Sequence, residues 1–115
     1  MDYELTDSNG ISVLKPGLRT VDQNNVPVLF EPLRPILEAG GSIVLDLSKV
    51  QFINSAGLGA IVGLIRDVEQ KGGQIRLCSP LPTVKALFNM VHLSSIVAID
   101  EDIAAALSAL ARNNG

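Results

Sequence analysis

The stretch SIVLDL, Ser42 to Leu47, limits the possible folds of this chain more than any other segment. It is rich in β-forming aliphatic residues, shows no alternation with polar residues, and follows the glycine pair Gly40-Gly41. Short uninterrupted runs of this kind are typical of strands buried on both faces. The segment therefore predicts the central strand of a sheet, which other parts of the chain must cover.

The segments around this strand predict an alternation of strands and helices. Tyr3–Thr6 and Ile11–Pro16 flank the turn signal Ser8-Asn9-Gly10 and predict an N-terminal hairpin, and QIRLCS and SIVAID predict two later strands. Helical spacing and Pro or Gly boundaries predict four helices. The first ends at Ala39–Gly41, and its prolines obscure where it starts; the second runs from Ser55 to Gly72. The third begins at Pro82, and the fourth spans Glu101–Ala111 with Asp100 as its cap. This order predicts an α/β fold with a small mixed sheet.

Length and charge exclude several classes of protein. With 115 residues the chain is about the size of one domain, and its net charge of -3 without a basic cluster argues against nucleic-acid binding. The longest apolar run, Ala56–Ile65, is well short of the roughly 20 residues that cross a bilayer. A single cysteine, Cys78, and an N-terminus unlike a signal peptide favour a cytoplasmic location.

The junction FINSAGLGAIVGLI, Phe52 to Ile65, carries a single hydroxyl, on Ser55, where a strand gives way to a helix. Its glycine spacing resembles a dinucleotide-binding turn, but the following strand ends in Leu77-Cys78-Ser79 and offers no carboxylate for a ribose. We therefore expect no nucleotide cofactor. Gly59 and Gly63 are instead predicted to let the helix lie close to the sheet.

Catalytic and metal sites also find little support. The chain has one histidine, His92, and one cysteine, Cys78, with no set of carboxylates spaced around either residue. Nothing in the spacing places His92 beside Ser55 as a base, and the Gly-x-Ser-x-Gly elbow is absent. We expect no enzymatic activity, no metal and no cofactor.

Two interpretations remain for Ser55. As an N-cap, its hydroxyl would accept a hydrogen bond from the amide of Gly57 or Leu58, which stabilises a helix by about 1 kcal/mol. As a phosphoacceptor, it would place roughly two negative charges at a helix start, where free amides and the helix dipole favour an anion. The second arrangement would allow a binding face to be switched off by charge.

The residues VLDLSKVQFINSAGLGAIVGLIRDVEQKGGQIRLCSPLPTVKALFNMVHL resemble the anti-sigma factor antagonists of the STAS domain family. The similarity is most specific at the Asn-Ser-x-Gly-Leu-Gly junction and at VKALFNMVHL, and it spans residues 42–111, with a looser match over the hairpin at 3–16. It implies a single STAS-like domain over residues 1–115, with a small mixed β-sheet and helices packed mainly on one face.

The resemblance implies a regulatory role by partner switching. The antagonist binds an anti-sigma factor that is also a serine kinase, phosphorylation near the helix start ends the binding, and a phosphatase restores it. The residues that match the partner-binding region of the family are Asn54, Ser55, Ala56, Gly57 and Leu58. Asn54 replaces the usual acid, and Ala56 stands where the family usually has the phosphorylated hydroxyl, which leaves Ser55 as the phosphoacceptor candidate.

A second hypothesis belongs to a different class of protein. STAS domains also serve as accessory subunits of lipid or anion transport systems. Some of these domains lack the hydroxyl that usually follows the first serine, and this chain lacks it too, because Ala56 is at that position. This alternative implies stable association with the cytoplasmic ATPase of a transporter. The oligomeric state, the sigma factor and the signal are left open by the sequence.

Overall fold

The structure is a computed structural model that describes residues 3–114, including all side chains in that range except those of Val28, Asn113 and Asn114. Its strands are β1 Tyr3–Ser8, β2 Ile11–Pro16, β3 Thr20–Val21, β4 Ser42–Asp46, β5 Phe52–Ile53, β6 Ile75–Cys78 and β7 Ala98–Asp100. Its α-helices are α1 Val26–Phe30, α2 Arg34–Glu38, α3 Ser55–Gln70, α4 Pro82–Met90 and α5 Ile103–Asn114, with 3-10 turns at Glu31–Leu33 and Leu93–Ser95.

The main sheet is mixed and has the order β1-β2-β4-β6-β7, so the strand predicted from SIVLDL lies at its centre. Strands β1 and β2 form the predicted antiparallel hairpin, while β2–β4, β4–β6 and β6–β7 pair in parallel. The register places Leu14 beside Leu45 and Leu45 beside Leu77. These leucines form a continuous apolar band across one face of the sheet.

Helices cover both faces, but unequally. The larger core cluster joins the leucine-bearing face to α1, α3 and α4 through buried residues such as Leu29, Ile61, Ile65 and Phe88. A smaller cluster joins the opposite face to α5 alone, through Ala106 and Leu110. The expectation of a small mixed sheet with helices mainly on one face is confirmed.

Prolines divide the segment between β3 and β4 into short pieces. Pro27, Pro32 and Pro35 each lie at the start of a separate turn of helix, in α1, the 3-10 turn and α2 respectively. Because proline fits the first turn but interrupts a helix interior, one continuous helix cannot form. The predicted end of the helix near Ala39 is correct, since α2 ends at Glu38.

The predicted cap of α5 was wrong. Asp102, not Asp100, caps α5, because its Oδ1 accepts a hydrogen bond from the amide of Ala105 at 2.8 Å. Asp100 instead ends β7 and accepts two hydrogen bonds from the Arg76 guanidinium, at 2.7 and 3.0 Å. This ion pair raises the pKa of Arg76 and ties the edge strand β7 to β6.

Gly59 and Gly63 do not provide the predicted close approach of α3 to the sheet. A Cβ atom placed on either residue would meet nothing within 4 Å. The close approach occurs at Gly57, where a Cβ would overlap the carbonyl oxygen of Val21. It is therefore strand β3, lying beside the first turn of α3, that requires a glycine.

Candidate functional site

The start of α3 is built on a small second sheet. Strands β3 and β5 pair in parallel, with Thr20 beside Phe52 and Val21 beside Ile53. The amide of Asn54 continues this ribbon by donating to the carbonyl of Val21 at 3.2 Å. The ribbon therefore fixes the direction in which the chain enters the helix.

Asn54, and not Ser55, is the N-cap of α3. Asn54 has an extended backbone, and its Oδ1 accepts a hydrogen bond from the Gly57 amide at 2.8 Å, as an N-cap side chain does. Ser55 is already the first residue of the helix. The interpretation of Ser55 as the cap was wrong, because asparagine and serine are comparable caps and the extended residue is the one before it.

Gln23 completes the junction and was not singled out by the sequence. Its Oε1 accepts a hydrogen bond from Asn54 Nδ2 at 2.8 Å, so the two polar ends of the Asn54 amide are both used. No periodic pattern identifies such a residue. The only signal was its position in the polar segment DQNN, which follows β3 and precedes the first proline of the next segment.

The loop that holds Gln23 is itself fixed by side-chain hydrogen bonds. Asp22 Oδ1 accepts from the amide of Asn24 at 2.9 Å, and Asn25 Oδ1 accepts from the amide of Asp22 at 3.0 Å. Asn25 Nδ2 also donates to the carbonyl of Thr20 at 2.7 Å. These local bonds are typical of Asx turns, and they place Gln23 beside the helix start.

The five predicted partner-binding residues differ in their accessibility. Ser55 and Ala56 are exposed, Asn54 and Leu58 are half-buried, and Gly57 is buried. Leu58 packs against the main core, whereas no hydrogen bond occupies the Ser55 hydroxyl within residues 3–114. The surface offered to another molecule is therefore centred on Ser55 and Ala56.

The electrostatics of this surface favour an added negative charge. The first turn of α3 contains no acidic residue, and its cap is a neutral amide. Helix N-termini carry a partial positive charge that stabilises anions in the first turn. The helix dipole would thus stabilise a phosphoryl group on Ser55, and the neutral residue at position 54 would not repel it.

Other candidate groups are not part of this site. His92 lies in an exposed turn after α4 with a left-handed backbone, φ 56°, and Cys78 is buried at the end of β6. Burial, followed by the nearby Asp46 carboxylate, raises the pKa of the Cys78 thiol to about 11, which keeps it protonated and unreactive near neutral pH. Across residues 3–114, no cluster of His, Cys, Asp and Glu could hold a metal ion.

The STAS domain family model matches residues 3–106, so the protein belongs to the STAS domain family. An anti-sigma-B factor antagonist from Bacillus subtilis is 33% identical over 79 residues, which cover 69% of this chain and 72% of that protein. Matches to three further relatives cover 58% to 62% of their lengths.

Solved structures share the fold. A Thermotoga maritima protein described as an anti-sigma factor antagonist superimposes with a TM-score of 0.83 at 24% identity, covering 94% of this chain and 93% of its own. The phosphorylated form of the Bacillus cell fate determinant SpoIIAA superimposes with a TM-score of 0.70 at 20% identity, covering 92% of this chain and 96% of its own. No helix within residues 3–114 combines the length and apolar character needed to cross a membrane.

Proposed function

We propose that this protein is an anti-sigma factor antagonist that binds an anti-sigma factor through the start of α3 and is released by phosphorylation of Ser55. The observation that carries the proposal is the exposed Ser55 hydroxyl at the first helical position, which the Asn54 cap leaves unoccupied. The relatives named as anti-sigma factor antagonists support the partner class. The partner would be a serine kinase, opposed by a phosphatase, and the protein itself would be no enzyme and act in the cytoplasm.

Ser55 is favoured over its neighbour for a chemical reason. Ala56 has no hydroxyl and cannot accept a phosphoryl group, whereas Ser55 is one residue away and is also exposed. A phosphoryl group adds about -1.5 to -2 charges, which would oppose a partner surface that had accommodated a small neutral side chain. Asn54, Ala56, Gly57 and Leu58 would complete the contact through their shape and backbone.

The test is affinity capture from the source cell with wild-type and Ser55→Asp baits. Ser108→Asp is the matched control, because Ser108 is exposed on α5 behind the sheet and would place the same charge beside Arg112. We expect wild type and Ser108→Asp to recover a serine-kinase-like anti-sigma factor and Ser55→Asp to lose it. The recovered kinase with ATP should then place phosphate on Ser55 of the wild type and none on Ser55→Ala.

The accessory-subunit hypothesis remains a second candidate because Ala56 removes the hydroxyl at the usual position of the family. It predicts that wild-type and Ser55→Asp baits recover the same transporter ATPase in equal amounts. It also predicts that Ser55 carries no phosphate in the protein isolated from its own cells. That combination of results would exclude the phosphorylation switch.

A further inference from the structure

A small apolar pocket lies between β5 and α4, beside the candidate site. Its volume is about 110 Å³, and its lining consists of Gln51, Phe52, Ile53, Thr83, Val84 and Leu87. Pockets that hold drug-sized ligands or cofactors have volumes of about 300–1,000 Å³, so this pocket is too small for such a molecule. Its size suits one apolar side chain.

Four of the six residues that line the pocket are apolar, and another apolar residue, Met90, lies near one of them on α4. Phe52 is 59% exposed, whereas the other two phenylalanines are half-buried (Phe30) or buried (Phe88). Met90 is 75% exposed and follows Leu87 by three residues on α4, so the two share one side of the helix. We call Phe52, Leu87 and Met90 the Phe52 patch; exposed patches of large apolar residues commonly mark interaction surfaces.

A positive charge lies at the edge of this pocket. The Arg19 guanidinium donates from Nη2 to Gln51 Oε1 at 3.2 Å, and Gln51 is one of the lining residues. Arg19 forms no ion pair with any carboxylate within residues 3–114. An exposed arginine held beside an apolar pocket, with no carboxylate of the described residues paired to it, offers a local positive charge to a carboxylate of a partner.

The pocket is continuous with the start of α3. Phe52 lies on β5, two residues before the Asn54 cap, and the Thr83 hydroxyl at the start of α4 donates to the Gln51 carbonyl at 2.9 Å. The ribbon that directs α3 therefore also forms one wall of the pocket. Phe52 is only three residues from Ser55 along the chain, and both residues are exposed.

From these observations we propose that the pocket beside Phe52 receives one apolar side chain from a segment of the anti-sigma factor that also carries carboxylates, which pair with Arg19. This inference rests on the proposed function for the identity of the partner. It adds a second anchor, which is separate from the charge at Ser55. It also gives the partner segment a definite chemistry, an apolar residue with acidic neighbours.

The first test uses the anti-sigma factor recovered by the wild-type bait. Phe52→Ser should weaken its binding about tenfold or more, because large side chains in central pockets dominate interface affinity. Arg19→Glu should also weaken binding. Added salt should lower the affinity of the wild type but not that of Arg19→Glu. The matched controls are Leu5→Ser, an exposed leucine on β1, and Arg112→Glu, an exposed arginine on α5; both should bind as wild type does. The proposal would be overturned if either Phe52→Ser or Arg19→Glu bound the anti-sigma factor as tightly as wild type does.

A second test does not need the partner and so separates failure of this inference from failure of the proposed function. The probes are two capped peptides, Asp-Glu-Leu-Asp-Glu and its charge-reversed form Lys-Lys-Leu-Lys-Lys, titrated into the ¹⁵N-labelled protein. We expect the acidic peptide to shift the amide resonances of Phe52, Thr83 and Leu87 most, and to lose affinity about threefold or more in Arg19→Glu. Shifts centred elsewhere, or equal binding of both peptides, would contradict the inference even if the switch at Ser55 proved correct.

Discussion

At the scale of single residues, the amide of Asn54 does what a carboxylate at the same place could not. Its oxygen caps α3 through Gly57, while its NH₂ group donates to Gln23 and holds the preceding loop. An aspartate would keep the cap but could only accept, and it would place a charge next to Ser55. The neutral cap therefore suits the phosphorylation of Ser55 that we propose.

This assignment of the cap predicts different effects at two adjacent residues. Asn54→Ala removes the side-chain hydrogen bond to the Gly57 amide and should lower the free energy of unfolding by about 1–2 kcal/mol. Ser55→Ala is the matched control and should change it by less than about 0.5 kcal/mol, because Ser55 is exposed and does not cap the helix. Urea unfolding of both variants measures the difference, and a larger loss for Ser55→Ala would return the cap to the serine.

At the scale of elements, the two-residue strands β3 and β5 determine where the site lies. They pair with each other and not with the main sheet, and they bring the loop of Gln23 to the start of α3. Gly57 makes this contact possible, because its missing side chain leaves room for the carbonyl of Val21. The position of the site therefore depends on one glycine in the first turn of a helix.

The glycines of α3 should respond oppositely to replacement by alanine. Gly57→Ala forces β3 away from the helix and should cost about 1–3 kcal/mol, the usual effect of overpacking against a rigid neighbour. At Gly59 a Cβ meets nothing within 4 Å, so Gly59→Ala should add about 0.5–1 kcal/mol through helix propensity. Thermal unfolding of the two variants tests this, and stabilisation by Gly57→Ala would disprove the close contact.

The elements differ in how far the sequence could predict them. The strands of the main sheet and the helices α3, α4 and α5 follow from apolar periodicity and from Pro and Gly boundaries. The β3–β5 ribbon could not be predicted, because two residues are too few to show a period. The sequence also could not show that Gly57, and not Gly59, lies at the close contact, since that contact is with a strand more than 30 residues away in the chain.

The candidate site shows the same division between local and long-range information. Its residues Asn54 to Leu58 could be located from the junction itself and from the family resemblance. Gln23, Arg19 and Phe52 could not, because each owes its place to a contact between distant segments. An exposed phenylalanine in a strand sequence is indistinguishable from a buried one until the neighbouring helix is in position.

At the scale of the whole molecule, the sheet separates two environments. The face with α3 and α4 carries the larger core and the candidate site, while the face with α5 holds a smaller core that includes Cys78. Register aligns Asp46, Cys78 and Asp100 across three neighbouring strands at their carboxyl ends. The thiol is thus fully buried beside a carboxylate that is also buried, Asp46.

This environment should make the whole domain less stable at alkaline pH. Burial first, and then the Asp46 carboxylate, raise the pKa of Cys78 to about 11 in the folded protein, whereas an unfolded thiol has a pKa of about 8.5. Between these values the unfolded chain releases a proton that the folded chain retains. The contribution is therefore complete below about pH 8.5 and is lost as the pH rises toward 11, which lowers the free energy of unfolding by up to about 3 kcal/mol.

Urea unfolding from pH 7 to pH 10.5 measures this loss, and Cys78→Ala is the control that separates it from the titration of lysine and tyrosine side chains. The variant should be less stable than wild type at pH 7, because it leaves a small cavity beneath α5. Its stability should decline less steeply above about pH 8.5, so that the two curves converge as the pH rises. Parallel curves over the whole range would show that the thiol does not remain protonated in the folded domain.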